Sequence, residues 1–410
     1  MQTQLAPQYQ GTSDGMAAEA ILRKCVHCGF CTATCPTYQL LGDELDGPRG
    51  RIYLMKQVLE GTVPTRKTQQ HLDRCLTCRN CETTCPSGVQ YGHLLDIGRK
   101  LVDQQVPRPA TERALRWSLK EGLPSPAFGP AMAMGQMLRP MLPKALKNKV
   151  PAKQSAKHWP TRTHERKVLM LAGCVQPSMS PNINSATVRV LDAIGVQTLV
   201  VPKAGCCGAV KFHLNDHDGG MAQMRANIDA WWPFVSRGVE GIVMNASGCG
   251  VTVKDYGYIL RDDPAYAAKA KRISELTQDI SEWLPELSQK LHGRVKAKAS
   301  RIAFHPPCSL QHGLQLRGGV EKYMGELGFN VRLTGCEPHL CCGSAGTYSV
   351  LNPAIAYQLR DRKLGHLNST FGPDKPDQIV SANIGCITHL QSGTSTPVRH
   401  WVELLDEALP

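Results

Sequence analysis

Eight cysteines near the start of the chain stand in two matching runs, Cys25-x2-Cys28-x2-Cys31-x3-Cys35-Pro36 and Cys75-x2-Cys78-x2-Cys81-x3-Cys85-Pro86. A cubane iron–sulfur cluster needs four thiolates converging on one small object. Two-residue spacers let a tightly turning backbone present three sulfurs to it, and in paired runs the fourth cysteine serves the other cluster. The spacing therefore predicts two [4Fe-4S] clusters, one held by Cys25, Cys28, Cys31 and Cys85, the other by Cys75, Cys78, Cys81 and Cys35. Pro36 and Pro86 turn the chain away after each run, and Gly29 relieves crowding where backbone meets cluster. Structural zinc sites also use CxxC pairs, but four cysteines in one unbroken run, twice, favour clusters. Arg23, Lys24, Arg74 and Arg79 flank the runs. Positive charge there either favours the reduced, more negative cluster or is solvated surface charge.

A second group of cysteines is distinctive but chemically open. Adjacent Cys206-Cys207 and Cys341-Cys342 do not readily close unstrained vicinal disulfides. Together with Cys174, Cys249, Cys308 and Cys386 they suit a metal centre. A third iron–sulfur cluster, a zinc site and buried free thiols all remain open, and His389, three residues after Cys386, either adds a nitrogen ligand or lines the pocket.

The elements that must position these residues repeat. Apolar runs starting at Val168, Thr198 and Gly241 lead to Cys174, Cys206-Cys207 and Cys249, and runs at Arg301, Asn330 and Gln378 lead to Cys308, Cys341-Cys342 and Cys386. The interval Cys174–Cys206 differs from Cys308–Cys341 by one residue, and Cys207–Cys249 differs from Cys342–Cys386 by two. Short apolar runs alternating with helical lengths imply βα units and mainly parallel sheets. All these cysteines then gather beyond the carboxyl edge of the strands, where open α/β sheets place their ligands. The expected class is α+β: a mainly α-helical dicluster domain over residues 1–105, a connector over 106–163, and two pseudo-symmetric α/β halves over 164–295 and 296–410.

At 410 residues the chain exceeds one ordinary core. Its 42% hydrophobic and 20% charged residues are those of a globular protein. The first twenty residues carry no basic and apolar signal pattern, and no apolar run approaches membrane-spanning length. That predicts a reducing compartment, in which the 17 cysteines are metal ligands rather than disulfides. The net charge of +13 is scattered without a nucleic-acid motif, which favours anionic lipid or an acidic partner subunit. The connector holds Met132, Met134, Met137 and Met141, then Lys144, Lys147, Lys149, Lys153 and Lys157. It reads either as an amphipathic piece touching membrane or partner or as a linker helix packed on the chain's own domains. No G-x-G-x-x-G follows a predicted strand, so no place for a flavin or nicotinamide is visible.

Cys25-Val-His-Cys-Gly-Phe-Cys-Thr-Ala-Thr-Cys-Pro, then Gly47-Pro-Arg-Gly-Arg51, the second run and two Cys-Cys-Gly domains together resemble the iron–sulfur subunits of bacterial glycolate oxidase over nearly the whole chain. Related arrangements occur in lactate-utilisation proteins, in anaerobic glycerol-3-phosphate dehydrogenase and in heterodisulfide reductase. The resemblance implies an electron-transfer subunit of a flavin-dependent 2-hydroxy-acid (glycolate) dehydrogenase, with FAD on partner flavoprotein subunits. It further implies delivery to a quinone or the respiratory chain, and peripheral attachment to the cytoplasmic side of the inner membrane. Here Cys249 and Cys386 lack the CxxC ending of heterodisulfide reductase, and Cys336 is extra. The alternatives are a Cys-Cys-Gly module that is itself a quinone or disulfide reductase, and a zinc-stabilised assembly platform.

Overall fold

The structure, a computed structural model, describes residues 1–143, 147 and 150–410. Lys144 and Lys149 of the connector lie outside the described residues. The N-terminal region is helical. Thr12 accepts the Gly15 N–H to start helix Ser13–Lys24, and Thr65 and Thr68 form a reciprocal cap on helix Arg66–Asp73. These helices, with Pro48–Leu59 and Tyr91–Gln105, enclose a core of Leu22, Met55, Leu59, Leu72, Leu94 and Leu95.

Two four-stranded parallel sheets follow. The first is built from β1 (Arg166–Met170), β2 (Val196–Val200), β3 (Gly241–Met244) and β4 (Thr277–Asp279), in the order β2-β1-β3-β4. The second is built from β5 (Arg301–Phe304), β6 (Asn330–Leu333), β7 (Gln378–Ser381) and β8 (Val398–His400), in the order β6-β5-β7-β8. Val168 pairs with Thr198 on one side and Gly241 on the other, as Ile302 pairs with Val331 and Gln378. The six strands expected from apolar runs are present. The outer strands β4 and β8 were not expected, because three residues each, Thr-Gln-Asp and Val-Arg-His, carry no apolar run. Each ends in a capping box that launches a helix: Asp279 with Glu282, and His400 with Glu403.

The halves share one core. Val190, Val243, Leu284 and Leu287 of the first are continuous with Phe304, Val380, Trp401 and Leu405 of the second. Helix Asn182–Asp192 packs against helix Trp401–Glu407. Asn182 Nδ2 donates to Glu403 Oε1 at 2.8 Å, and Arg189 Nε to Asp406 Oδ1 at 2.6 Å with both side chains buried.

The connector is docked, not free. Lys120 pairs with Asp216 at 3.2 Å, Lys211 with Glu121 at 2.9 Å, and Gln136 Nε2 donates to the Ser178 carbonyl at 3.0 Å. Helix Phe128–Met137 thus packs on the first half while Met134, Met137 and Met141 stay exposed. Among the described residues no helix is long and apolar enough to cross a membrane.

Candidate iron–sulfur and cysteine-rich sites

The two ferredoxin-type loops share an unusual backbone. His27 and Gly29 in the first and Thr77 and Arg79 in the second all take positive φ, 55°, 86°, 52° and 58°. That wraps each loop tightly enough to aim three sulfurs at one point. Glycine suits the conformation; at Arg79 it is held by the side chain, which donates to Asp255 Oδ2 of the first sheet domain at 2.6 Å. Arg79 is therefore an inter-domain tie, neither solvated surface charge nor a free cation. Arg74 is likewise paired, with Asp46 at 2.8 Å, whereas Arg23 pairs with Glu19 on the surface.

The thiols of the two runs come together, with Cys85 beside Cys25 and Cys31, and Cys35 beside Cys81. Cys25, Cys28, Cys31 and Cys85 line one small cavity, which Cys81 also reaches; burial, with the neighbouring thiolates, raises Cys25 and pushes Cys31 to about 11. Cys28 is exposed, beside exposed Val26 and Phe30. Around the second run, burial pushes Cys81 well up, followed by the charges of Cys78, Cys75 and Cys35. Buried thiols such as Cys31, Cys78 and Cys81 that resist ionising alone belong to a donor set that a cationic metal centre relieves. All 17 cysteines are free thiols.

Two buried guanidiniums compensate the second set. Arg51 has no exposure and donates to the His71 carbonyl at 2.7 Å and Thr37 Oγ1 at 3.1 Å. Burial alone would lower it, but Cys75, Tyr91, Cys35 and Asp46 hold its charge firmly. Arg99 donates to the carbonyls of Leu72 and Cys75 at 2.8 and 2.6 Å. Tyr91 O–H reaches Cys75 Sγ at 3.7 Å, and the Thr77 N–H reaches it at 3.4 Å. Arg51 belongs to the Gly47-Pro-Arg-Gly-Arg51 segment, but only the fold shows that this segment's job is to bury a charge there.

The Cys-Cys-Gly cysteines gather at the carboxyl edge as the βα pattern requires. In the first half the thiols of Cys174 and Cys207 pull the Cys206 thiol down, while Cys207, beside Cys206 and Cys249, is pushed up. In the second half Cys308 lies beside Cys341, and Cys342 beside Cys341 and Cys386, each pushed up in this buried group. The motif glycines explain themselves. Gly208 has φ +93° and a side chain there would meet Gly220 O at 2.9 Å, while Gly343 has φ +88° and would meet Ala356 O at 2.4 Å. Only glycine permits the left-handed turn and the close approach of the neighbouring helix. Cys336 is exposed and apart from the set.

The two sets face one cavity of about 2030 Å³ beneath the helical domain, which also reaches Cys75 and Cys78. Leu76 and Cys78 pack against Cys308, Cys341 and Tyr348. Tyr348 O–H donates to the Arg74 carbonyl at 2.9 Å. His389 lines this cavity, its Nε2 held by the Ala356 carbonyl at 3.1 Å. The histidine that stands with the thiols is His305, grouped with Cys342 and Cys386.

Comparison with known proteins agrees with this layout. The model of a 4Fe-4S dicluster domain matches residues 21–89, and that of a cysteine-rich domain matches residues 168–254 and 302–391. The chain is 54% identical to the glycolate oxidase iron–sulfur subunit of Escherichia coli (strain K12), over 100% of this chain and 99% of that protein. It is 29% identical to a probable glycolate oxidase iron–sulfur subunit of Bacillus subtilis (strain 168), over 95% of this chain and 94% of the relative. It is 26% identical to lactate utilization protein A of Bacillus cereus (strain G9842), over 58% of this chain and 98% of that one.

Proposed function

The chain belongs to the family of glycolate oxidase iron–sulfur subunits, and from that premise we propose that it carries electrons from a flavoprotein subunit of a glycolate dehydrogenase toward a membrane quinone. Two [4Fe-4S] clusters, held by Cys25, Cys28, Cys31 and Cys85 and by Cys35, Cys75, Cys78 and Cys81, would supply one-electron acceptor chemistry. The chain's own residues do the rest. Exposed Cys28, with Val26 and Phe30 around it, opens one end of the path to a partner. Arg51, Arg99, Tyr91 and the Thr77 N–H stabilise negative charge on the inner set. FAD, and the residues that choose the 2-hydroxy acid, belong on partner chains.

The observation that carries this reading is the packing of Cys78 against Cys308 and Cys341, which makes the cysteine sets continuous from surface to interior. The test is glycolate-driven reduction of the iron–sulfur EPR signal. It is expected only when flavoprotein subunits are present, and oxidation of glycolate by the isolated chain, or no reduction in the complex, overturns it. In the same preparation Cys35→Ser should perturb the signal of the Cys75-Cys78-Cys81 cluster. Perturbation of the other cluster alone refutes the crossed assignment.

The cavity bordered by both Cys-Cys-Gly sets favours a second reading, in which that module itself reduces a quinone or disulfide. Quinone reduction lost in Cys207→Ala, with both ferredoxin signals intact, would support it. The exposed methionine face at Met134, Met137 and Met141 supports peripheral attachment to the cytoplasmic side of the membrane.

A further inference from the structure

The two cysteine-rich halves repeat one fold but do not offer the same donors. Three residues ahead of Cys174 the first half has Leu171; three residues ahead of Cys308 the second has His305. His305 is fully buried. Its backbone is pinned, the N–H donating to Val380 O at 2.8 Å and the carbonyl accepting from Ser381 Oγ at 2.9 Å. Yet neither ring nitrogen has a hydrogen-bond partner. A buried imidazole left this way costs free energy that nothing nearby repays. A ring nitrogen and the sulfurs of Cys342 and Cys386 all lie within 4.8 Å of one another.

A second difference points to the same place. In the helix that closes over each motif glycine, buried Asn227 stands seven residues after Gly220, and buried Lys363 stands seven after Ala356. Asn227 is neutral and saturated, donating to the Cys206 carbonyl at 2.8 Å and accepting from the Gly205 N–H at 2.8 Å. Lys363 makes one hydrogen bond, to the Glu337 carbonyl oxygen at 2.6 Å, and no salt bridge among the described residues. The charges within its reach are Cys308, Cys342, Cys341 and the Glu337 carboxylate, which is itself taken by Arg362 and His366. A buried ammonium of this kind requires an anionic neighbour.

We propose that the second half holds a net-anionic metal centre of mixed ligation, with His305 supplying a nitrogen beside the thiolates of Cys342 and Cys386. The first half, with leucine and asparagine at the matching positions, does not reproduce this centre. Cys308 and Cys341 complete the thiolate set and Lys363 balances its charge. Thiolate and imidazole together suit iron or zinc. This deepens the reading of the Cys-Cys-Gly residues as metal ligands and rests on it.

The test uses the full chain purified anaerobically, with iron, zinc and sulfide quantified and the two ferredoxin EPR signals serving as a control of folding. His305→Leu installs the first half's residue, and His305→Gln covers the case in which leucine disturbs packing. The wild type should carry metal beyond the two clusters. If that metal is iron, pulsed EPR should show a ¹⁴N coupling that both variants lose. If it is zinc, X-ray absorption should show a shell of nitrogen at about 2.0–2.1 Å beside sulfur at about 2.3 Å, lost with the zinc in both variants. Metal and nitrogen signal unchanged in both variants, or no metal beyond the two ferredoxin clusters, overturns the proposal. Cys386→Ser separates the two levels. If it expels the metal while the His305 variants keep it, only the imidazole ligation fails; if it too leaves the metal in place, the thiolate reading fails.

Discussion

Replacing Gly343 by alanine tests the geometry of the Cys-Cys-Gly turn against a built-in control three residues away. Both Gly343 and Gly346 have positive φ, +88° and +62°, so alanine at either incurs the left-handed penalty of about 1–2 kcal/mol. They differ in space. A Cβ at Gly346 meets nothing within 4 Å, whereas one at Gly343 sits 2.4 Å from Ala356 O and 3.1 Å from Ala356 Cα. Ala356 is fully buried in helix Pro353–Asn368, so the helix must shift bodily, at an overpacking cost of about 1–3 kcal/mol. Gly346→Ala should therefore cost about 1–2 kcal/mol and Gly343→Ala about 2–5 kcal/mol. For a unit the size of the two joined halves, each kcal/mol lowers the thermal midpoint by about 2–4 °C. Calorimetry of the apo-protein and both variants reads this directly. Equal midpoints for the two variants would refute the claim that helix approach, and not φ alone, demands the motif glycine.

Asp279 is fully buried with one carboxylate oxygen unpartnered, and burial raises its pKa to about 7. The folded state thus holds a proton that the unfolded chain releases near pH 4, and stability from this group is lost as pH rises from about 4 through 7. Asp279→Asn keeps the acceptor for the Ser281 N–H. It should be more stable than wild type at pH 8 by on the order of 2 kcal/mol, with the gap closing by pH 4 in urea titrations. Arg79→Ala removes the 2.6 Å pair to Asp255 across the domain boundary, so proteolysis between the helical region and the sheets should accelerate several-fold while each cluster's EPR signal persists. Asp255 responds to pH in the opposite sense from Asp279. Burial works to raise it, but nearby His93 and the paired Arg79 hold it low, so its contribution is present above about pH 4 and lost as pH falls below, seen as loosening of the same boundary in acid. Arg51→Leu removes buried positive charge beside Cys75 and Cys35. It should lower the midpoint potential of that cluster by on the order of 50 mV, and an unchanged potential would remove Arg51 from the tuning of that site.

The two ferredoxin runs and six of the eight strands were legible in the sequence because both are local patterns: fixed cysteine spacing, and apolar runs such as Gly241-Ile-Val-Met. β4 and β8 were not, since Thr277-Gln-Asp and Val398-Arg-His owe their extended form to a neighbouring strand and to the caps that follow them. Arg79 illustrates a different gap: its basic side chain was visible, but its partner Asp255 lies 176 positions away and only tertiary structure brings the two together. His389 drew notice as a nitrogen donor because it follows a cysteine at helical spacing, but it is a ring nitrogen of His305 that lies within 4.8 Å of the Cys342 and Cys386 sulfurs. The signal for His305 was present in the repeat itself. Superimposing the two copies residue by residue sets it against Leu171, and that contrast is chemical.

The shared core of the two halves also dictates an order of events during synthesis. Helix Asn182–Asp192 buries its face, including Arg189, against Trp401–Glu407, so the first half has no finished surface until that helix has been made. A nascent chain stalled before Trp401 would expose the apolar seam of Val190, Ile194 and Leu287 as a target for chaperones.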